Sequence, residues 1–170
     1  MLTPAEIDNV RERLVHARLC CEGWWLLTGI HEEREDIVSV ANRYIHFFGT
    51  IQPALFCTFV TKTATLFDED SRSLALSAIP YATGDPLFDK LHQSGRELYK
   101  YRSKVIAHSD RQGVKKDFAR ETGFTNNSLR AVIFDACELF NRCALQSGFS
   151  ECPDFSFEDD FLELINDLKP

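Results

Sequence analysis

The sequence predicts an all-α protein, folded as a single bundle of about five to six helices. Two observations predict this class. Apolar residues recur at three- and four-residue steps over long stretches, and no segment shows the strict apolar–polar alternation of a strand. The 170 residues fit one domain, with a core over about residues 4–146 and an acidic C-terminal helix over about residues 156–168.

The first helix has the clearest start. Thr3 can cap it, Pro4 fits its first position and Glu6 completes a capping box. Gly29 suits its end. The predicted inward residues, spaced by three or four, are Ile7, Val10, Leu14, Ala17, Cys21 and Trp24 or Trp25.

Glycine and proline delimit the next two predicted helices. A second helix is expected from about residue 31 to 48, with Gly49 as its break and Pro53 in the first turn of a third. The inward residues expected on the second helix are Ile37, Val40, Tyr44 and Phe48. Those on the third are Leu55, Phe56, Phe59, Val60, Thr63 and Phe67.

Caps also mark the later helices. Asp85 followed by Pro86 starts a fourth helix, which should end near residues 108–110, and Thr125 and Ser156 can cap a fifth and a short terminal helix. The inward residues expected on the fourth are Leu87, Leu91, Ser94, Leu98, Tyr101 and Val105. Those on the fifth are Leu129, Val132, Ile133, Ala136, Leu139, Phe140 and Cys143, and those on the last are Phe161, Leu164, Ile165 and Leu168.

The net charge of −7 argues against a generally basic nucleic-acid coat protein. Residues 96–120, however, carry a charge of +5 and the remainder carries −12, so the molecule is polarised. A solvated helix face is the ordinary interpretation of such a run. The basic residues are Arg96, Lys100, Arg102, Lys104, Arg111, Lys115, Lys116 and Arg120.

The sequence predicts a cytoplasmic protein without membrane contact, metal or cofactor. No stretch reaches the roughly 18 apolar residues of a spanning helix, and Glu6 and Asp8 stand where a signal peptide needs basic residues, so we expect a cytoplasmic protein with no membrane contact. The six cysteines are expected to be buried thiols. Because neither they nor the histidines show metal-ligand spacing, and residues 68–70 look like a solvated acidic loop, we expect no metal and no cofactor.

The centre of the basic run combines arginine and histidine. Arg102 and His108 form R-x₅-H within the string KYRSKVIAHSD, residues 100–110. Histidine can move protons near neutral pH, and arginine offers a permanent charge and a planar fork for phosphate oxygens. Alternatively, the two are a helix-capping and dimer-packing pair, since cations are favoured near a helix C-terminus.

Helix geometry limits how this pair can act. Six residues along a straight helix leave Arg102 and His108 about 120° apart around the axis and about 9 Å apart along it. Either the last turn is distorted, or a second chain brings its own pair across a two-fold axis. Lys104 would favour a neutral His108, whereas Asp110 could orient the ring or raise its pKa; the sequence leaves both open.

This string, together with RLVHARLCCEGWWLL over residues 13–27 and TATLFDEDSRSLAL over residues 63–76, resembles the HEPN superfamily and, within it, the AbiU-like branch of phage abortive infection. The likeness covers about residues 10–145. It implies an HEPN-like bundle and a metal-independent endoribonuclease that acts as a homodimer in phage defence or in a toxin–antitoxin system. The implied partners are an RNA substrate and a protein antitoxin.

The resemblance also implies residue roles. His108 would act as general acid or base and Arg102 would hold the phosphate, with Ser103, Lys104 and Asp110 in support. Arg111, Lys115 and Lys116 would attract the RNA backbone. Active members commonly carry Asn, Asp or His after the arginine, where this chain has Ser103. The alternative is therefore a catalytically inactive HEPN-like module that dimerises or binds a protein partner or a nucleotide.

Overall fold

The computed structural model describes residues 2–29, 32–68, 70, 73–102, 123–154 and 157–169. Within these ranges the chain is all-helical, as predicted, and contains no strand. None of the described helices is both long and apolar enough to cross a membrane. The six described α-helices are α1 (Pro4–Thr28), α2 (Arg34–Arg43), α3 (Ile45–Thr65), α4 (Pro86–Tyr101), α5 (Asn126–Ser147) and α6 (Phe157–Leu168).

Four helices build the main core. Helix α1 packs against α3 and α5, and α4 packs against the same two helices, so the four surround one large apolar cluster. Helices α2 and α6 contact each other and α1, and they enclose a second, smaller cluster. Two short 3₁₀ helices, Leu76–Ala78 and Ala82–Gly84, lead from α3 into α4.

Helix α1 begins and ends where the sequence predicts. The backbone N–H of Thr3 donates to Oε2 of Glu6 at 2.7 Å, and the N–H of Glu6 donates to Oγ1 of Thr3 at 3.3 Å. The N–H and the hydroxyl of Thr3 both donate to the Glu6 carboxylate, and these two hydrogen bonds lower the pKa of Glu6. At the other end, the backbone at Gly29 is extended, and a Cβ there would lie 2.8 Å from Trp25. Gly29 is therefore required by a close approach, not by a left-handed turn.

The boundary predicted between the second and third helices is wrong. Helix α2 ends at Arg43, and the next residue, Tyr44, caps both helices. Its N–H donates to the carbonyl of Val40 in α2, and its carbonyl accepts from the N–H of Phe48 in α3. Gly49 and Pro53 lie inside α3. They cost about 1 and 3 kcal/mol there relative to alanine.

Burial explains why α3 continues through these two residues. Phe48, Phe59 and Val60 are buried along it, and each contributes about 1.5–3 kcal/mol on full burial. The Tyr44 ring, predicted to be inward, is 38% exposed because its backbone turns between the two helices. Long-range packing therefore outweighs the local helix-breaking signals.

Other inward faces are largely as predicted, with three corrections. On α4, Phe88 and Gly95 are buried, whereas Leu87 and Ser94 are only half-buried. On α6, Leu164 is 47% exposed, whereas Phe161 and Ile165 are buried in the smaller cluster and Leu168 packs against it. Among the cysteines, all six are free thiols and five are buried, but Cys57 is exposed on α3.

The caps of the later helices are confirmed where the structure describes them. The side chain of Asp85 accepts from the N–H of Leu87 at 2.8 Å, and Pro86 is the first residue of α4. Thr125 and Ser128 exchange backbone-to-side-chain hydrogen bonds at the start of α5. The predicted cap Ser156 and the expected end of the fourth helix near residues 108–110 lie outside the described residues.

A buried ion pair joins three helices. Glu22 on α1 is 6% exposed and accepts from Nε of Arg18 at 2.8 Å. Its other carboxylate oxygen accepts from the N–H of Phe157 at 3.3 Å, which ties the start of α6 to α1. The guanidinium of Arg18 lies 4.9 Å from the ring centre of Phe134 on α5. The guanidinium of Arg18 also lies 3.9 Å from Asp154, so loss of Arg18 would remove the cation that faces the buried Glu22 carboxylate, which is the costlier change.

Gly95 allows the closest approach between α4 and the chain that follows α3. A Cβ at residue 95 would lie 2.0 Å from Cγ of Phe67, a distance that real Cβ atoms do not reach. The Phe67 ring is buried against this glycine. The end of α3 and the C-terminal half of α4 are therefore held side by side.

Gly95→Ala is expected to lower the free energy of unfolding by about 1–3 kcal/mol, since the added methyl group forces Phe67 out of place. Chemical denaturation measures the effect. Gly49→Ala is the matched control because its added Cβ meets no atom within 4 Å. That change should stabilise α3 by about 0.5–1 kcal/mol. Equal effects of the two substitutions would contradict this packing.

Candidate active site

Arg102 follows the last residue of α4, and it is the one predicted site residue within the described ranges. Its backbone keeps right-handed helical angles, with φ −50° and ψ −49°, and its N–H donates to the carbonyls of Leu98 and Tyr99. The direction of Arg102 is therefore set by α4. The other predicted residues, which lie outside the described ranges, are His108, Ser103, Lys104, Asp110, Arg111, Lys115 and Lys116.

The Arg102 side chain stacks on its own helix. Its guanidinium carbon lies 4.8 Å from the ring centre of Tyr99, and both side chains are half-buried. A guanidinium over an aromatic face is held by cation–π attraction, and its N–H donors remain directed outward in the plane of the group. The stack therefore orients a permanent cation without using its hydrogen-bond donors.

Three described basic residues share this end of α4. Arg96 and Lys100 are exposed, and Arg102 follows them. Nζ of Lys100 lies 2.6 Å from Oε1 of Glu97, and this exposed pair contributes little to stability. The spacing of residues 96, 99 and 100 places Arg96, Tyr99 and Lys100 on one side of the helix. This side faces the segment that follows α3.

A cavity of about 400 Å³ lies between these two segments. Phe67 forms a buried apolar wall against Gly95. Tyr99 lines the cavity and also contacts the guanidinium of Arg102. Carboxylates and cations share its rim. Among the described residues, the lining consists of Phe67, Asp68, Asp70, Arg96, Tyr99 and Lys100.

The acidic side of the cavity has a defined local structure. The backbone N–H of Asp70 donates to Oδ1 of Asp68 at 3.0 Å, which fixes the Asp68 carboxylate over the turn. Asp70 is exposed, as expected of a solvated loop, but Asp68 is half-buried and faces the cavity. The interpretation of residues 68–70 as a simple solvated loop is therefore wrong for Asp68.

Sequence reasoning missed the aromatic part of this site. Spacing alone predicts a core position for Phe67 and no site role for Tyr99, although Arg96, Tyr99 and Lys100 stand at helical spacing. That spacing was a usable signal. The approach of Phe67 and Asp68 to α4 could not be predicted from spacing, because it depends on a contact between residues far apart in sequence.

The described residues contain no group of three or more His, Cys, Asp or Glu side chains arranged to hold a metal ion. His92 on α4 stacks against Phe88, with ring centres 5.6 Å apart. The cysteine thiols are mostly removed from water, and burial raises the pKa of Cys21 to about 12. His92 and the buried cysteines therefore contribute to packing.

Comparison with known proteins gives one match. The family model HEPN_AbiU2, described as AbiU2, matches residues 5–150, which include α1 to α5 and the R-x₅-H string. No curated protein and no solved structure matches the chain. Since the family model covers most of the sequence, the chain belongs to the AbiU2 family of abortive-infection-related HEPN domains.

Proposed function

We propose that this protein is a metal-independent endoribonuclease of the HEPN type, acting in phage defence or in a toxin–antitoxin system. The observation that carries the proposal is the position of Arg102. It lies in the R-x₅-H string of a HEPN family member, stacked on Tyr99 at the basic end of α4 and beside an open cavity. A half-buried, oriented guanidinium suits the binding of an RNA phosphate.

The proposed reaction is transfer of the phosphate to the neighbouring ribose hydroxyl. The 2′-oxygen attacks the phosphorus as its proton passes to a base, and the P–O5′ bond breaks as the leaving oxygen takes up a proton. The products are a 2′,3′-cyclic phosphate and a 5′-hydroxyl. His108 moves one of these protons, and Arg102 stabilises the negative charge that develops on the phosphate oxygens. No oxidant, metal or further reactant is needed.

A homodimer supplies the remaining geometry in this proposal. On a straight helix Arg102 and His108 would point about 120° apart, so a chain whose last turn is undistorted would not place both on one phosphate. Two chains related by a two-fold axis would bring two such pairs to one cleft. Ser103, Lys104 and Asp110 would then orient His108 and set its protonation, and a protein antitoxin would act by covering the cleft.

Charge distribution directs the RNA in this proposal. The segment 96–120 carries +5 on a body that otherwise carries −12. An anionic strand is repelled by most of the surface and attracted to the end of α4. Arg111, Lys115 and Lys116 would contact the backbone of the strand outside the cleft.

Cleavage is expected to depend on His108 and not on metal. Purified protein incubated with single-stranded and structured RNA in the presence of a chelator should give fragments ending in 2′,3′-cyclic phosphate. His108→Ala should reduce the rate by about 10²–10⁴-fold, the usual contribution of a positioned acid or base. Gel analysis and end-group mass spectrometry measure both results.

The matched control is His46→Ala, since His46 is exposed on α3. This variant should cleave like the unchanged protein. Identical traces from the His108→Ala protein and the unchanged protein would contradict the proposal and favour the inactive binding module.

RNA binding is expected to weaken steeply with salt. For a single-stranded RNA blocked by 2′-O-methyl groups, log K should fall linearly with log[salt], by about 0.7 per phosphate contact. The double variant Lys115→Gln/Lys116→Gln should reduce that slope by about 1.4. Fluorescence anisotropy over a salt series measures it.

Lys90→Gln provides the control for this series. Lys90 lies on α4 and pairs with Asp135 at 2.9 Å, outside the basic segment. Its removal should leave the slope unchanged. A flat salt dependence, or equal slopes for the double variant and the unchanged protein, would contradict contact between this segment and RNA.

A further inference from the structure

The cavity beside Arg102 differs from a simple phosphate site. Among the described residues, its rim carries two cations, Arg96 and Lys100, but also two carboxylates, Asp68 and Asp70. The formal charge of these four side chains is zero. A free phosphate or another multiply charged anion gains little in such a site, because the carboxylates oppose it. A ligand that offers hydrogen-bond donors to the carboxylates suits it better.

The walls of the cavity are aromatic. Phe67 and Tyr99 line it, and the guanidinium of Arg102 lies on Tyr99. Aromatic rings and guanidinium planes are the surfaces on which unpaired RNA bases stack. A volume of about 400 Å³ is within the range of small-molecule sites. The walls and the size therefore suit a nucleobase with part of its ribose.

The carboxylates favour one base. Guanine presents two adjacent donors on its pairing edge, N1–H and the exocyclic N2 amino group, and a carboxylate accepts both through its two oxygens. Adenine and cytosine present an amino donor next to a ring acceptor, which a carboxylate repels. Uracil presents a single N–H between two carbonyls. Among the four bases, guanine is the best partner for a fixed carboxylate.

Asp68 is the carboxylate placed for this contact. It is half-buried, it lines the cavity, and the N–H of Asp70 holds its Oδ1 in place at 3.0 Å. A carboxylate oxygen accepts more than one hydrogen bond, so this internal contact orients the group and leaves acceptor capacity. Preorganisation of this kind reduces the entropy lost on binding.

We infer that this cavity is a guanine-binding subsite, in which Asp68 contacts the pairing edge of the base and Tyr99 and Phe67 provide its apolar walls. The inference rests on the proposed function for one point, that the bound guanine neighbours the phosphate cut at Arg102. Tyr99 forms the physical link, since it lines the cavity and also supports Arg102. The subsite would give the nuclease a preference for single-stranded RNA that contains guanine.

Binding is measured separately from cleavage. The full chain is titrated by calorimetry with the 2′-O-methyl trinucleotides UGU, UAU, UCU and UUU, which lack the attacking hydroxyl. UGU should bind about tenfold more tightly than the other three, the size expected for hydrogen bonds to a charged group. Asp68→Asn should abolish that preference, because its amide keeps an acceptor for the Asp70 N–H but loses the paired acceptors for guanine.

Two further variants separate the contributions. Asp89→Asn makes the same change at an exposed carboxylate on α4, outside the cavity lining, and should leave all four affinities unchanged. Tyr99→Leu should weaken all four trinucleotides to a similar extent, since stacking is tolerant of base identity, whereas Tyr99→Phe should bind normally.

The outcomes distinguish this inference from the proposed function. Guanine preference that depends on Asp68, without any cleavage of unmodified RNA, supports the subsite and contradicts the proposed nuclease activity. Cleavage that depends on His108, with equal affinity for the four trinucleotides, supports the nuclease and overturns the subsite. Guanine preference that survives Asp68→Asn also overturns it.

Discussion

The approach of Phe67 to Gly95 is the constraint on which this end of the molecule depends. Because residue 95 has no side chain, the Phe67 ring lies against the backbone of α4, where a Cβ would come within 2.0 Å of it. This contact fixes the end of α3 beside the basic end of α4. The same approach leaves the cavity between them and sets Asp68 opposite Tyr99 and Arg96. The packing of the core and the shape of the site therefore have one common cause.

Charge and packing act together at this end. The bundle buries apolar side chains from α1, α3, α4 and α5, and most of its surface charge is negative. Only the segment that begins on α4 is strongly positive. Arg102 is directed by the helix that precedes it and by its stack on Tyr99, so the cation is preorganised before any ligand arrives. In the proposed reaction, an acidic body limits RNA contact to that segment.

Local signals predicted most of the fold. The starts of α1, α4 and α5 follow from caps that act over two or three residues, such as the pair Thr3 and Glu6, and sequence spacing describes such contacts well. The prediction of a helix break at Gly49 and a new helix at Pro53 is wrong, because the burial of α3 outweighs the local cost of these two residues. The prediction that Tyr44 lies inward is wrong for the same reason, since Tyr44 lies at the boundary between α2 and α3.

The candidate site was predictable only in part. Arg102 and His108 stand in a recognisable string, and the basic run can be counted from the sequence. Phe67 and Asp68 could not be assigned to the site, because their position beside α4 results from tertiary packing across the loop between α3 and α4. The aromatic walls of this cavity, Phe67 and Tyr99, are what point to a base-binding role, and they are brought together only by the fold.

The most direct test of the central claim, that RNA is cut at the end of α4, is a crystal structure of the protein bound to a guanine-containing RNA with 2′-O-methyl ribose throughout. We expect one phosphate on the guanidinium of Arg102, an imidazole of His108 within hydrogen-bond distance of the blocked 2′-oxygen or the leaving oxygen, and two chains around one cleft. RNA bound on another face, with Arg102 and His108 remote from every phosphate, would contradict it.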